Sequence, residues 1–275
     1  MTVEAFRAVV AAQGGSLLGP ALTRYLESGA QGGVYATPAG FEAFISGGGN
    51  LPLYEKTSAA LAGLYEQHRP DSLVDIGCGN GRALLPALQQ SWHRPSRLDL
   101  VEPSAALLEQ VLPQVPAAVE VHTHPSSLQA ALAGLPEGVR WSLAESTFAL
   151  HTLPPDERSE ALARLRTRVD RLAIVEFDVP DEVPGGPEQL TRLARTYEQG
   201  LAEYVHDAEQ FDLVAQGFLM PVLVGQLRPG APRVTWEQSS GRWQEQVSAA
   251  GFRDVQVRAL YDYWSAPAFL LTGVA

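Results

Sequence analysis

The sequence predicts an α/β protein built on a mostly parallel β-sheet, and three observations lead to this prediction. Short apolar runs alternate with stretches of helical periodicity from residue 70 onward. The centres of these runs are almost uniformly apolar, as expected for strands that helices cover on both faces. The first run ends in a glycine-rich segment, DIGCGNG at 75–81, which opens the following helix.

Seven runs carry the strand signal, and helical stretches separate the first five. The runs are SLVDIG (72–77), RLDLVEP (97–103), AVEVHT (118–123), VRWSLAES (139–146), RLAIVEFDV (171–179), DVQVRAL (254–260) and AFLLTGV (268–274). Only the short segment YDYWSAP separates the last two runs. This gap predicts an antiparallel pair, because a parallel pair needs a crossover of about a dozen residues or more.

Two further regions flank or interrupt the sheet pattern. Residues 1–69 have helix-like spacing with glycine breaks and end before Pro70, so we expect a small helical N-terminal cap or lid. Residues 70–275 then form the sheet domain. Within it, 207–245 contains an apolar stretch broken by glycine and proline, which is untypical of a plain strand. We interpret 207–245 as an insertion that serves as a lid or an interface.

Composition excludes several classes of protein. The chain has 31 acidic and 20 basic residues, a net charge of −11, which disfavours nucleic acid as a partner. The single cysteine, Cys78, cannot form an intramolecular disulfide. No apolar run approaches the roughly 18–20 residues that a membrane span needs. We therefore expect a soluble, cytoplasmic protein with a small-molecule substrate, and a homodimer is one candidate assembly.

The glycine-rich segment carries the strongest chemical signal. Its glycines, Gly77, Gly79 and Gly81, end a strand and lead into a helix, where bare backbone and free N–H groups can receive a ligand. The spacing differs from the dinucleotide pattern G-x-G-x-x-G, because Arg82 stands where the third glycine would be. Glu102 ends the second strand and can accept hydrogen bonds from ribose hydroxyls. Because Arg82 interrupts the dinucleotide pattern, a nicotinamide-dependent oxidoreductase is disfavoured.

DIGCGNG followed by LVEP resembles the first two motifs of the class I S-adenosylmethionine-dependent methyltransferases. The resemblance implies a Rossmann-like, seven-stranded sheet with an antiparallel last strand, and S-adenosylmethionine as the cofactor. In that family an acid often follows the third strand, where this chain has Pro125, and Ser126 is a weak substitute. The residues expected at the cofactor are Asp75, Gly77, Cys78, Gly79, Gly81, Glu102, Pro103, Ser126, Glu145 and Phe148.

Methyl transfer to an oxygen or nitrogen of a small molecule is the predicted reaction, and it benefits from a general base. His151 is the first candidate for that base, followed by Glu176 and Asp178 at the end of the fifth strand. Aromatic residues with polar atoms suit an acceptor pocket. The candidates are Tyr54, Tyr261, Tyr263 and Trp264.

Two alternatives remain open at this point. C-methylation of a 2-oxo acid would use a histidine-bound metal, for which His122, His124, His151 and His206 are candidates, but their spacing predicts no metal site. A methyltransferase-like fold could also serve as a non-catalytic binding module, with the apolar segment 212–224 as its interface. The intact glycine segment and Glu102 argue against this second reading.

Overall fold

The structure is a computed structural model that describes residues 3–14, 16–29, 38–228, 230 and 234–275. The chain divides into two compact units. We call residues 1–52, 181–233 and 263–266 the helical unit, and residues 53–180, 234–262 and 267–275 the sheet unit. Residues 53–69 group with the sheet, and residues 181–233 group with residues 1–52. The predicted functional division at residue 69 stays a prediction.

A seven-stranded sheet forms the centre of the sheet unit. Its strands are β1 (Ser72–Ile76), β2 (Arg97–Val101), β3 (Glu120–His124), β4 (Trp141–Thr147), β5 (Val169–Phe177), β6 (Arg253–Tyr261) and β7 (Ala268–Val274). They lie in the order β3-β2-β1-β4-β5-β7-β6. The first five strands pair in parallel, whereas β7 is antiparallel to both β5 and β6. The predicted fold class is confirmed.

Helices cover both faces of this sheet. The helices of the sheet unit are α5 (Leu84–Gln90), α6 (Ala105–Val111), α7 (Leu128–Gly134), α8 (Pro155–Arg166) and α12 (Ser240–Ala249), together with the main part of α4 (Asn50–His68). On one face, α4, α5 and α6 bury apolar side chains against the strands. On the other face, α7, α8 and α12 do the same. Burial on two faces explains the apolar centres of β1, β2, β4, β5 and β7, whereas the edge strands β3 and β6 are more exposed.

The helical unit contains the remaining helices. These are α1 (Val3–Gln13), α2 (Leu18–Glu27), α3 (Pro38–Ile45), α9 (Pro187–Ala202), α10 (Ala208–Val214) and α11 (Met220–Leu227). Both α1 and α2 pack against α9. Glu198 of α9 accepts hydrogen bonds from the backbone N–H groups of Ser16, Leu17 and Leu18 at 2.7–3.2 Å. This carboxylate satisfies N–H groups that the start of α2 would otherwise leave without a partner.

Within the segment predicted to be broken, residues 208–227 are helical. A π-helical turn at Ala215–Leu219 joins α10 to α11. Gly217 is the point where α3 approaches, since a Cβ atom on Gly40 would lie 2.7 Å from the Gly217 carbonyl carbon. Pro221 lies in the first turn of α11, where its missing N–H costs little. Glycine and proline therefore mark a helix crossing and a helix start here.

The lid and interface roles predicted for residues 1–69 and 207–245 stay predictions. None of the helices in the described ranges combines the length and the apolar character that crossing a bilayer requires.

Candidate active site

The glycine-rich loop follows β1 at the carboxyl edge of the sheet. β1 lies between β2 and β4. The strands β2 and β3 are added on one side of β1, and the later strands β4 and β5 are added on its other side, so the order of the strands reverses at β1. Such a change of direction is where open α/β sheets bind ligands. Gly77, Gly79 and Gly81 have φ angles of 71°, 53° and 77°, which L residues with a side chain adopt only with strain. The loop conformation thus depends on the three glycines that the sequence singled out.

Each glycine faces a different environment. A Cβ atom on Gly77 would lie 2.3 Å from the Cβ of Ala149, and one on Gly81 would lie 2.8 Å from Leu85 Cδ1. A Cβ on Gly79 would meet no atom of the described residues within 4 Å. Gly77 and Gly81 therefore allow close packing, whereas Gly79 borders open space that a ligand can occupy. Between them, the Cys78 thiol is buried, and this burial raises its pKa.

Glu102 lies beside this loop, directly after β2. Its Oε2 accepts a hydrogen bond from the Gly79 N–H at 3.1 Å, and its Oε1 accepts one from the Ser104 N–H at 2.9 Å. Each carboxylate oxygen keeps a second lone pair for a ligand hydroxyl. Pro103 is exposed next to it. The predicted contact of Glu102 with a ribose is compatible with this geometry and stays a prediction.

Two buried carboxyl groups lie beneath the loop. Asp75 of β1 pairs in register with Glu145 of β4, and the two residues are 3% and 0% exposed. The Asp75 Oδ1 atom accepts no hydrogen bond from the described residues. Glu145 is held by the Tyr65 hydroxyl of α4, which lies 2.7 Å from both of its carboxyl oxygens. Tyr65 was not among the site residues predicted from the sequence.

Burial dominates the electrostatics of these acids. Burial, together with the nearby Glu102 carboxylate, raises the pKa of Asp75 to about 7. Burial and Asp75 raise the pKa of Glu145 well above its ordinary value, despite the hydrogen bond from Tyr65. A buried acceptor without a donor, next to open space at Gly79, fits the cationic amino group of an amino-acid ligand. With the ribose-binding geometry at Glu102, the residues present fit S-adenosylmethionine.

His151 and Glu176 form a hydrogen-bonded pair at the same edge of the sheet. His151 Nδ1 lies 2.8 Å from Glu176 Oε2, and the His151 backbone N–H donates to Glu176 Oε1 at 3.1 Å. Burial alone would lower the pKa of His151, but the Glu176 carboxylate outweighs it and raises that pKa. The structure therefore brings together the first two candidates for a catalytic base.

Asp178, the third candidate, has a different set of contacts. Its Oδ1 accepts a hydrogen bond from the Ser240 backbone N–H at 2.7 Å, at the start of α12. Its own N–H donates to the Pro267 carbonyl at 2.8 Å. These bonds give Asp178 a structural role in fixing α12. Its catalytic role stays a prediction.

Phe148 turns the chain between β4 and His151. It has φ = 51°, an uncommon conformation for a bulky residue. Its ring stacks on Phe177 with a centroid distance of 4.5 Å and meets Tyr54 edge-on at 5.9 Å. The Arg82 guanidinium lies 5.8 Å from the centre of the Tyr54 ring. Tyr54 and Phe148 thus form an aromatic group with Phe177, whereas their ligand contacts stay predictions.

The other predicted acceptor residues take part in packing. Tyr261 ends β6 and pairs with Ala268. Tyr263 is buried in the helical unit, where its hydroxyl lies 3.0 Å from Asn50 Oδ1. Trp264 packs on Gly200 of α9, where a Cβ atom would lie 2.8 Å from the indole. Acceptor binding by these residues therefore stays a prediction. So does the adenine contact of Ser126, whose hydroxyl lies 3.3 Å from the Ser127 carbonyl oxygen.

The histidines of β3 contact carboxylates of neighbouring residues. His122 Nε2 lies 3.0 Å from Glu120 Oε1. His124 Nε2 lies 2.8 Å from Asp99 Oδ1. In the described part of the chain, no three histidine, cysteine, aspartate or glutamate side chains converge as a metal site.

Asp99 is a buried carboxylate with several donors. Arg97 Nε donates to its Oδ2 at 2.7 Å, and Trp141 Nε1 donates to the same oxygen at 2.8 Å. Burial by itself would raise the pKa of Asp99, but the hydrogen bonds from Arg97, His124 and Trp141 outweigh it and lower that pKa. This network links β2, β3 and β4 and stabilises the sheet.

Comparison with known proteins identifies the fold. No protein-family model and no curated protein matches the sequence. Magnesium protoporphyrin IX methyltransferase from Synechocystis PCC 6803 with bound S-adenosylhomocysteine aligns with a TM-score of 0.51 at 16% identity, over 82% of this chain and 84% of that chain. An O-methyltransferase family protein from Burkholderia thailandensis gives 0.52 at 15% identity, over 81% and 56%. Mitomycin 7-O-methyltransferase gives 0.50 at 17% identity, over 82% and 55%.

The chain spans little more than half the length of the last two proteins. At these identities the comparison concerns the fold alone. The chain has the fold of the class I S-adenosylmethionine-dependent methyltransferases.

Proposed function

We propose that this protein is an enzyme that binds S-adenosylmethionine at the glycine-rich loop and transfers its methyl group to an oxygen or nitrogen of a small molecule. The observation that carries the proposal is the His151–Glu176 pair on the segment that packs against the loop. Ala149 contacts Gly77, and His151 follows two residues later. A candidate base and a candidate cofactor site thus lie on adjoining segments of the sheet unit.

The cofactor site is proposed to consist of Asp75, the loop glycines and Glu102. Glu102 would accept hydrogen bonds from the ribose hydroxyls, and Asp75 would accept one from the amino group. When bound, S-adenosylmethionine supplies a methyl group that the positive charge on sulfur has already activated. The chain must then hold the acceptor atom in line and remove its proton.

His151 is proposed to remove that proton. If Nδ1 donates its hydrogen to Glu176, the neutral imidazole presents Nε2 as a proton acceptor. Glu176 is 1% exposed and holds His151 through one hydrogen bond to the ring and one to the backbone N–H. It also stabilises the imidazolium that forms when the proton arrives. A hydroxyl or amine acceptor fits this chemistry, because both carry a proton that leaves during methylation.

The names of the structural neighbours support small-molecule acceptors, since they include mitomycin and magnesium protoporphyrin IX. The metal-dependent alternative, with His122, His124, His151 and His206 as candidates, finds no support in the geometry, because no three side chains of metal-ligand type converge among the described residues. The proposal therefore keeps a metal-free base. The specific acceptor is left to experiment.

Thermal shift tests the cofactor assignment. S-adenosylmethionine and S-adenosylhomocysteine should raise the melting temperature, whereas NAD should not. Glu102→Ala should lose most of this shift, while Glu109→Gln, on the exposed surface of α6, should keep it. If NAD stabilises the protein and both sulfur nucleosides are silent, the proposal is wrong. If the sulfur nucleosides do stabilise the protein, incubation with a metabolite library and labelled S-adenosylmethionine, read by mass spectrometry, would identify the acceptor.

A further inference from the structure

Two carboxyl groups lie side by side under the proposed cofactor site, and one oxygen atom of this pair, Asp75 Oδ1, is buried with no hydrogen-bond partner among the described residues. Asp75 and Glu145 are register partners on β1 and β4, so their side chains leave the sheet on the same face. Glu145 receives the Tyr65 hydroxyl at 2.7 Å. Asp75 Oδ1 is buried and receives no donor from the described residues. A buried acceptor in this state is a position that a ligand donor would satisfy.

The groups that face this pair are acids or a thiol. Tyr65 approaches from α4, Glu102 from the end of β2, and Cys78 from the loop. On its other side, Glu145 is in register with Ala173 of β5, which carries no charge. No positive charge in this set compensates a buried carboxylate. Two negative charges at this spacing are unfavourable, so the pair retains a proton.

We propose that Asp75 and Glu145 act as one acidic dyad that receives the cationic amino group of the bound nucleoside and releases a proton to the solvent on binding. The inference rests on the proposed function, because it concerns the amino-acid end of the same ligand. Asp75 contacts the ammonium group, and Glu145 is a positioning residue that supplies the second negative charge. Tyr65 stabilises the Glu145 carboxylate as it forms.

In the free protein, a second negative charge in this buried position has no counterion, so Glu145 stays neutral. An ammonium group at Asp75 supplies the missing positive charge. The Glu145 carboxylate then becomes more favourable than the protonated Glu145 side chain, so the proton is released. Burial and the neighbouring Asp75 raise the pKa of Glu145 well above its ordinary value. Glu145 is fully buried and is hydrogen-bonded to Tyr65, and the released proton is therefore assigned to Glu145.

Isothermal titration calorimetry can count this proton. Binding is measured near pH 8 in phosphate and in Tris, whose ionisation enthalpies differ, with S-adenosylhomocysteine and with methylthioadenosine. The second ligand has the nucleoside and the sulfur but lacks the amino group. The wild-type protein should release about one proton with S-adenosylhomocysteine and close to none with methylthioadenosine. This comparison uses the wild-type protein, so it does not depend on the folding of a variant.

Glu145→Gln assigns the proton. Glutamine keeps an acceptor for Tyr65 and has almost the same shape, so the variant should bind S-adenosylhomocysteine with little proton release near pH 8. Glu109→Gln, exposed on α6, should release the same number of protons as the wild type. Binding of S-adenosylhomocysteine without proton release, or unchanged release in Glu145→Gln, would overturn the inference and leave the proposed function intact. Failure of the wild type to bind S-adenosylhomocysteine would refute both.

Discussion

Glu176 fixes His151 through two hydrogen bonds, one to the imidazole Nδ1 at 2.8 Å and one to the backbone N–H at 3.1 Å. The backbone bond sets the position of the residue, and the side-chain bond sets the orientation of the ring. His151 is 15% exposed through its side chain, so the ring is accessible although its partner is buried. This arrangement suits a base that must accept a proton from an incoming molecule.

Replacement of His151 should abolish most of the methyl transfer. His151→Ala is expected to lower kcat by about 10²–10⁴-fold, the usual contribution of a general base, while the affinity for S-adenosylhomocysteine stays unchanged. Because only the neutral imidazole accepts a proton, the wild-type rate should rise with pH and level off above the raised pKa of His151. In Glu176→Gln the maximal rate should be lower and the rise should occur at lower pH, since the carboxylate that raises this pKa is lost. The pH dependence of kcat/KM measures both effects.

Asp156→Asn is the matched control, because Asp156 is exposed on α8 and lies outside the proposed site. It should leave the rate and the pH profile unchanged. An unaltered pH profile in Glu176→Gln would contradict the role given to the pair.

The loop glycines should separate stability from binding. Gly77→Ala places a Cβ 2.3 Å from Ala149 in addition to straining a positive φ, so it should reduce the free energy of unfolding by about 2–5 kcal/mol. Gly79→Ala adds a methyl group in open space, so it should cost only about 1–2 kcal/mol from the φ angle. It should nevertheless weaken S-adenosylhomocysteine binding about tenfold or more, because the methyl group occupies the ligand's space. Denaturant unfolding and calorimetry test the contrast, and equal losses of stability would contradict it.

Asp99 should be important for stability and irrelevant to binding. Asp99→Asn leaves the buried donors of Arg97 and Trp141 poorly matched, and it should cost about 3 kcal/mol or more. The control Asp170→Asn removes an exposed pair with Arg140 and should cost less than about 1 kcal/mol.

The Asp99 carboxylate contributes to the free energy of unfolding in a pH-dependent way, because its pKa is lowered in the folded protein. The stabilisation is complete above the unfolded-state pKa of about 4 and is lost as the pH falls through the lower folded-state value. Asp99→Asn should therefore narrow the stability difference between neutral and acidic pH. If the free energy of unfolding falls equally with pH in the wild type and in Asp99→Asn, the stabilising role given to the Asp99 carboxylate is wrong.

Gly40 should tolerate no side chain. A Cβ at this position lies 2.7 Å from the backbone of Gly217, so Gly40→Ala should destabilise the helical unit by about 1–3 kcal/mol. Gly63→Ala, in α4 with no atom within 4 Å of the new Cβ among the described residues, should stabilise by about 0.5–1 kcal/mol. Melting temperatures of the two variants should move in opposite directions. A stabilised Gly40→Ala would show that the two helices can separate without cost.

The sheet could be predicted from the sequence because its signals are local. Each of the seven strands coincides with an apolar run, and the short gap before β7 indicated the antiparallel pair. The segment 208–227 could not be predicted in the same way, because Gly217 and Pro221 have the appearance of helix breakers. In the fold, Gly217 is explained by its contact with Gly40 and Pro221 by its place in a first helical turn. The contact between Gly217 and Gly40 joins residues that are far apart in the sequence, so sequence periodicity cannot reveal it.

The candidate site shows the same division. The loop glycines and Glu102 could be named because strand, bend and helix follow one another directly in the sequence. His151 and Glu176 were both candidates, but their hydrogen bonds join residues 25 positions apart. The contact of Tyr65 with Glu145 spans 80 positions and left only an unassigned tyrosine on a helix. The sequence thus indicated most residues of the candidate site, with the exception of Tyr65. It did not indicate which of these residues contact one another, because the contacts join distant positions.

The packing of α1 and α2 on α9 has a consequence for biosynthesis. α1 ends at Gln13, and α9 begins at Pro187. At about 5–20 residues per second, the ribosome needs roughly ten to thirty seconds to deliver the later helix. During that interval Phe6 and Val10, both buried in the finished protein, lack their partner surface. Until α9 is synthesised, α1 therefore lacks one of the helices that it packs against in the finished protein.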